Sequence, residues 1–177
     1  SEEHYFKGKK TGKANYYYQN SKIASSGIYK EDMPDSTWLA WFEDGKKKSV
    51  ETFLVVQLKN NWICTKNGLF QYYYSNGNKE SEGNFQNDKE QGAFVKYFNN
   101  GNKQFEGDYK NGTRTGIWKY YYKSGKPKEE RKYLSDDDYL VLNFWLEDGP
   151  EGMQSHTQPV KDGNGAYTFF DAAGVKL

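Results

Sequence analysis

Cysteine, histidine and proline are scarce in this chain, and long apolar runs are missing from it. Its 177 residues include one cysteine, two histidines and four prolines. A single cysteine excludes an intrachain disulfide and any paired-cysteine metal site. The histidines, His4 and His156, lie far apart and lack the close spacing of metal ligands. No apolar run reaches the roughly 18 residues of a transmembrane helix, so the sequence predicts no membrane-spanning segment.

The charges nearly cancel, which argues against partners that bind through a strong electrostatic field. Lys and Arg total 25, Asp and Glu total 24, and the net charge is +1. Nucleic acid binding needs an excess of clustered basic residues, so the sequence predicts that nucleic acid is not a partner. Basic stretches near aromatics, such as residues 46–48, keep an anionic membrane surface or a single nucleic-acid strand open as alternatives. In the structural interpretation, these lysines keep the edges of the sheet from pairing with a second chain.

Enzyme motifs are missing as well. The sequence contains no nucleophile elbow, phosphate-binding loop or zinc-type spacing. Cys64 is interpreted as a small buried residue. Three consecutive aspartates at residues 136–138 lack the glycine-containing loop with alternating oxygen ligands that calcium prefers, and we interpret them as a solvated turn. The sequence therefore predicts no enzyme, no catalytic residue, no metal and no cofactor.

Aromatic residues are abundant, at 18%, and they recur with a period of 24 residues. The clearest copy reads Gly-Leu-Phe-Gln-Tyr-Tyr-Tyr-Ser-Asn-Gly from Gly68, and similar segments begin at Gly92 and Gly116. Such a period indicates an array of equal supersecondary units. Following the spacing outward places repeat starts near positions 12, 36, 68, 92, 116, 140 and 165, after a half-repeat at residues 1–11. We predict one repeat domain over residues 1–177.

Each repeat has the features of a β-hairpin. Asn-Gly or Asp-Gly pairs, as at Asn76–Gly77 and Asn100–Gly101, separate an aromatic run from a polar run and suit the two positive-φ positions of a type I′ turn. A second turn signal follows about ten residues later, as at Asn111–Gly112. Two strands and two turns use up one period. The sequence predicts an all-β protein, an extended antiparallel meander of about seven 24-residue hairpin repeats.

Two aromatic columns differ in strand parity. Two residues into the repeats stand Ala14, Trp38, Phe70, Phe94, Trp118, Leu142 and Tyr167; five residues in stand Tyr17, Trp41, Tyr73, Tyr97, Tyr121, Trp145 and Phe170. Either a bulge brings both columns to one face, or the sheet buries aromatics on both faces. A glutamate column at Glu82, Glu106 and Glu130 is interpreted as structural, pairing across strands with Lys79 or Lys103.

The repeat resembles the bacterial variant of the MORN (membrane occupation and recognition nexus) repeat. The resemblance rests on Gly-x-Trp-x-x-Tyr-Tyr-x-x-Gly from Gly116 and on Glu-Gly-x-Tyr-x-Asn-Gly from Glu106, and it is strongest over residues 68–133. It implies a hairpin array with a role in protein binding or assembly, as in antitoxin-type proteins, and less directly a lipid association. Either a tag remnant or removal of an export signal would explain the start at Ser1. Similar bacterial proteins often carry such signals, so the resemblance favours the cell envelope or the exterior.

The column four residues into each repeat is the predicted contact surface. It mixes aromatic, small and charged side chains: Tyr16, Ala40, Tyr72, Lys96, Tyr120, Phe144 and Phe169. A core position would not readily admit Lys96, so we expect partial exposure. The predicted binding residues are Tyr16, Tyr72, Lys96 and Tyr120, facing a protein partner. The alternatives are a surface module for lipid or glycan and a purely structural ladder with Lys96 snorkelling.

Overall fold

The computed structural model describes residues 1–145, residue 147 and the backbone of residues 155–156. The regular secondary structure of this part consists of β-strands, and paired strands run antiparallel. This confirms the predicted all-β hairpin meander. Contacts divide the chain into two compact units, residues 1–90 and residues 91–177. The predicted repeat start near 165 and the column residues Tyr167, Phe169 and Phe170 lie outside the described residues. A single repeat domain over residues 1–177 stays a prediction.

The first unit contains nine strands. They are β1 (Tyr5–Phe6), β2 (Lys9–Lys10), β3 (Gly12–Tyr17), β4 (Ile23–Lys30), β5 (Met33–Trp41), β6 (Lys47–Leu58), β7 (Asn61–Tyr73), β8 (Lys79–Gln86) and β9 (Lys89–Glu90). Each strand from β3 to β8 pairs with the next, β1 pairs with β2, and β9 pairs with β8. The second and third repeat starts, at 36 and 68, are 32 residues apart instead of 24, and the residues inserted around 54–67 lengthen the hairpin of β6 and β7, in which Leu58 pairs with Asn61.

The second unit contains six strands. They are β10 (Gly92–Tyr97), β11 (Lys103–Lys110), β12 (Thr113–Tyr121), β13 (Pro127–Tyr133), β14 (Tyr139–Phe144) and β15 (Ser155–His156). Each pairs with the next in sequence. In the two units together, the six described repeat starts fall on β3, β5, β7, β10, β12 and β14.

The predicted type I′ turn at the first corner of the repeat is wrong, and the two positive-φ residues of that turn type occur at the second corner instead. At the first corner of the described repeats that have Asn-Gly or Asp-Gly there, only the glycine has positive φ, as for Gly77 at 97° and Gly101 at 93°. Gly101 N–H donates to the Phe98 carbonyl at 2.9 Å, which fits a type I turn followed by a left-handed glycine. Both central residues have positive φ at the second corner instead, as in Asn111 and Gly112 at 54° and 84°. Those corners have the type I′ signature.

The two aromatic columns lie on opposite faces of the sheet. In each described repeat whose fourth and fifth positions both have pairing partners, the strand register shifts between these two positions. The extra residue of this β-bulge belongs to the neighbouring strand. Tyr16 pairs with Ser25 and Tyr17 pairs with Ile23, so Ala24 is skipped. The bulge therefore leaves the fifth-position side chains opposite the second. We call the face with the second and fourth positions the core face.

The core face packs indole rings directly onto glycine backbone. Trp118 is fully buried, and a Cβ built on Gly107 would lie only 2.4 Å from its Cδ2 atom. Trp38 covers Gly27 in the same way in the first unit, with a Cβ distance of 2.1 Å. The indole N–H of Trp118 donates to the Asp108 carbonyl at 3.3 Å. Glycine is needed at these positions because any side chain would occupy the volume of the ring.

Candidate functional site

The four predicted binding residues lie on core faces, two in each unit. Tyr16 is on β3 and Tyr72 on β7, whereas Lys96 is on β10 and Tyr120 on β12. All four are half-buried, so none of the tyrosines is sealed in a core. Strand pairing aligns Tyr16, Ser25, Ala40, Ser49 and Tyr72 in one row across the first unit. It aligns Lys96, Phe105, Tyr120 and Glu129 across the second.

The tyrosine hydroxyls of these rows are all held by hydrogen bonds. Tyr16 donates to Glu3 Oε1 at 2.6 Å, and Tyr72 donates to Glu51 Oε1 at 2.7 Å. Tyr120 and Tyr133 share a hydrogen bond of 2.6 Å between their hydroxyls. Burial, followed by these bonds, raises the pKa of Tyr16, Tyr72 and Tyr120 above the usual value. The rings are thus fixed in position, which lowers the entropy lost on contact with a partner.

A groove of about 290 Å³ opens on the core face of the first unit. Three small residues, Ser25, Ala40 and Ser49, are adjacent in the row between Tyr16 and Tyr72 and leave this space above the sheet. The complete lining is Ser25, Tyr29, Pro34, Trp38, Leu39, Ala40, Ser49, Glu51 and Phe53. The groove is therefore walled by aromatic rings and carries one carboxylate.

The carboxylate of Glu51 accepts two hydrogen bonds at the same oxygen atom. Lys66 Nζ and the Tyr72 hydroxyl both donate to its Oε1, at 2.8 and 2.7 Å. Burial, the largest influence, opposes ionisation, but these two bonds lower the pKa of Glu51 overall. Glu51 is therefore an anion at neutral pH, and it stands beside the rings of the groove.

The core face of the second unit is filled by arginines. Arg114 lies 4.9 Å from the Trp118 ring centroid and donates to the Tyr133 hydroxyl at 2.9 Å. Arg131 lies 4.5 Å from the ring centroids of both Tyr120 and Tyr139. It also forms two hydrogen bonds, at 2.8 and 2.9 Å, to the carboxylate of Glu129, which is only 4% exposed. A smaller groove of about 170 Å³ lies beside Tyr120, Tyr121 and Pro127.

The remaining candidates from the sequence have structural surroundings. Cys64 is half-buried rather than buried, its thiol donates to the Pro34 carbonyl at 3.2 Å, and burial raises its pKa. His4 is exposed, and only the backbone of His156 is described. Asp136 accepts the Arg114 backbone N–H at 2.8 Å, as a turn residue would. The described residues hold no group of three or more His, Cys, Asp or Glu side chains arranged for a metal.

The glutamate column makes the predicted lysine contacts in a different geometry. Glu82 pairs with Lys79, and Glu106 with Lys103, each at 2.7 Å, but both partners belong to the same strand. The predicted pairing across strands is therefore wrong for these lysines. The cross-strand contact of Glu106 comes from Tyr121, whose hydroxyl donates at 2.6 Å.

Several residues of the groove were not among the predicted site residues, notably Tyr29, Trp38, Glu51 and Phe53. A signal for them exists two residues before each repeat start, where the sequence has Lys10, Pro34, Lys66, Glu90, Arg114 and Asp138. Cations occupy the first, third and fifth of these positions. Glu90 and Asp138 are acidic, so Pro34 is the one uncharged residue at this position of the six described repeats. Pro34 marks the second repeat as different, and the groove lies there.

The family described as MORN repeat variant matches residues 66–87, 90–111 and 114–134. These stretches coincide with the repeats that start at 68, 92 and 116 and make up less than half of the chain. MORN repeats are commonly binding modules and are generally not enzymes. The comparison with curated proteins gives no match. The bacterial source and the antitoxin-type role stay predictions. Among the described residues, no helix is long and apolar enough to cross a membrane.

Proposed function

We propose that the chain is a non-catalytic scaffold for protein–protein interaction and that the core face of its first unit is the contact surface. The observation that carries the proposal is the groove between Tyr16 and Tyr72, with small residues beneath it and aromatic rings around it. Ordered aromatic side chains beside an open groove provide large contact area at a small entropic cost. The match to a repeat that commonly forms binding modules supports the same function.

The charges around the groove favour a protein over a lipid surface. Lys10, which lies over the Tyr29 ring, is paired with Glu3 at 2.7 Å, and Lys66 is paired with Glu51 of the groove at 2.8 Å. Attraction to anionic lipid requires unpaired basic residues facing the membrane. An antitoxin-like role is the more specific form of the proposal, and it comes from the sequence resemblance alone.

Site-specific photo-cross-linking tests the contact surface. Benzoylphenylalanine replaces Phe53 in the groove, and in a control chain it replaces Ile28, which is 43% exposed and has the opposite strand parity to Tyr29. We expect a discrete protein adduct in source-cell lysate from position 53 only, and its loss when Ala40→Trp fills the groove. Equal adducts at both positions, or adducts indifferent to Ala40→Trp, would reject this surface.

A further inference from the structure

A cation packed on aromatic rings recurs on the core face, two residues before alternate repeat starts. Lys10 Nζ lies 5.3 Å from the Tyr29 ring centroid, and Lys66 Nζ lies 5.4 Å from that of Phe85. Arg114, at the same position of a later repeat, lies 4.9 Å from the Trp118 centroid. These distances are within the range of cation–π attraction. The fold thus places a positive charge among the rings of three repeats.

The second repeat has the rings but no cation of its own at this position. Pro34 replaces the basic residue, and its short ring cannot reach over the neighbouring aromatics. Strand pairing places Pro34 opposite Tyr29, and both line the groove together with Trp38 and Phe53. The groove of about 290 Å³ therefore lies where other repeats hold a lysine or an arginine.

The groove also offers an acceptor for a positive charge. Lys66 and Tyr72 both donate to Oε1 of Glu51, and none of the described residues donates to its Oε2. The Glu51 side chain lines the groove, and its exposed fraction is 25%. In the second unit, Glu129 holds Arg131 between the rings of Tyr120 and Tyr139. Aromatic rings with one carboxylate are thus already a binding environment for arginine in this chain.

We propose that the groove binds an arginine side chain of the protein partner, with the guanidinium stacked on Trp38 and bonded to Oε2 of Glu51. The inference rests on the proposed function, since it specifies what that surface recognises. Arginine fits better than lysine because its planar group stacks on a ring while its edge still donates hydrogen bonds. Arg114 does both at once, against Trp118 and the Tyr133 hydroxyl.

A peptide titration of the full chain tests the proposal. The probe is acetyl-Gly-Arg-Gly-amide, and its matched control replaces arginine by citrulline, which has nearly the same shape without the charge. The readout is the indole N–H signal of Trp38 in a ¹⁵N NMR spectrum, assigned with the variant Trp38→Phe. We expect a saturable shift with the arginine peptide, a smaller one with the lysine peptide, and none with citrulline at equal concentration.

Variants of the groove give the second arm. Pro34→Arg supplies the missing cation from the chain itself, so we expect it to weaken peptide binding at least about tenfold. Pro127→Arg adds the same charge to β13, outside this groove, and should bind within about twofold of the original chain. Glu51→Gln keeps an acceptor for the Tyr72 hydroxyl but removes the negative charge, so it should also weaken peptide binding. This variant tests the arginine site if Pro34→Arg does not fold.

The outcomes separate this inference from the proposed function. Equal shifts with arginine and citrulline peptides, or no shift with either, would overturn the arginine site. If the cross-link at position 53 still captured a protein that Ala40→Trp abolishes, the interaction scaffold would stand without it. A selective arginine shift that Pro34→Arg removes and Pro127→Arg preserves would establish the site.

Discussion

Adding one methyl group at Gly107 should disrupt side-chain packing in the second unit and so destabilise it. A Cβ there would lie 2.4 to 2.5 Å from three atoms of the Trp118 indole. An ordinary carbon–carbon contact is about 3.5 Å or more, so the ring must withdraw by about 1 Å. Trp118 is fully buried and lies beside Phe105, Tyr109 and Tyr133. We expect Gly107→Ala to lower the free energy of unfolding by about 1–3 kcal/mol through overpacking.

A double-mutant cycle identifies the cause of that loss. Trp118→Ala alone should cost about 3–5 kcal/mol, because it removes a buried ring and leaves a cavity. In the double variant the clash is gone, so Gly107→Ala should add little to the cost of Trp118→Ala. Urea unfolding followed by circular dichroism measures each free energy, and the cycle of Gly27→Ala with Trp38→Ala is a second copy in the first unit. Additive losses in both cycles would refute the packing of indole on glycine.

Three further predictions concern a turn and two titrating groups. Gly101→Val should destabilise the chain by about 1–3 kcal/mol, because φ is 93° there, whereas Ala93→Val on an exposed strand position should not; an unchanged melting temperature for Gly101→Val would contradict the turn. Burial and the hydrogen bond to Tyr133 raise the pKa of Tyr120, so its contribution to stability is complete below about pH 10 and declines above it. Tyr120→Phe should therefore make the free energy of unfolding depend less on pH in the alkaline range. The same pH dependence in both chains would argue against the raised pKa. Hydrogen bonds, chiefly from Lys10, lower the pKa of Glu3 to about 2, so its stabilising effect should be present above pH 4.5 and vanish towards pH 2; a Glu3→Gln difference that persists at pH 2 would contradict this assignment.

The period, the hairpins and the antiparallel class could be predicted because they depend on residue types at fixed spacing. The turn types could not be predicted, since a glycine at positive φ suits both a type I turn with a bulge and a type I′ turn. At the second corner, Asn87 and Asp88 have φ of 51° and 64° without any glycine. The first and second corners of the repeat differ in how many residues their backbone hydrogen bonds enclose, and the residue types do not reveal that number.

The groove could not be predicted because it results from residues on three neighbouring strands. Ala40 is a single small residue in its column, and it becomes part of an open row only when Ser25 and Ser49 lie beside it. That alignment depends on bulges such as the skipped residue Ala24, which shift the pairing register. The alternating cations before the repeat starts were present in the sequence, but they lie outside the motif that defines the repeat.

Hydroxyl-radical footprinting of the full chain, alone and with the protein captured at position 53, tests most directly which face binds. We expect the partner to protect Trp38, Tyr29 and Phe53, which line the groove, while Tyr17 on the opposite face, 42% exposed, keeps its reactivity. Protection of Tyr17 with unchanged reactivity at Trp38 would contradict binding at the core face.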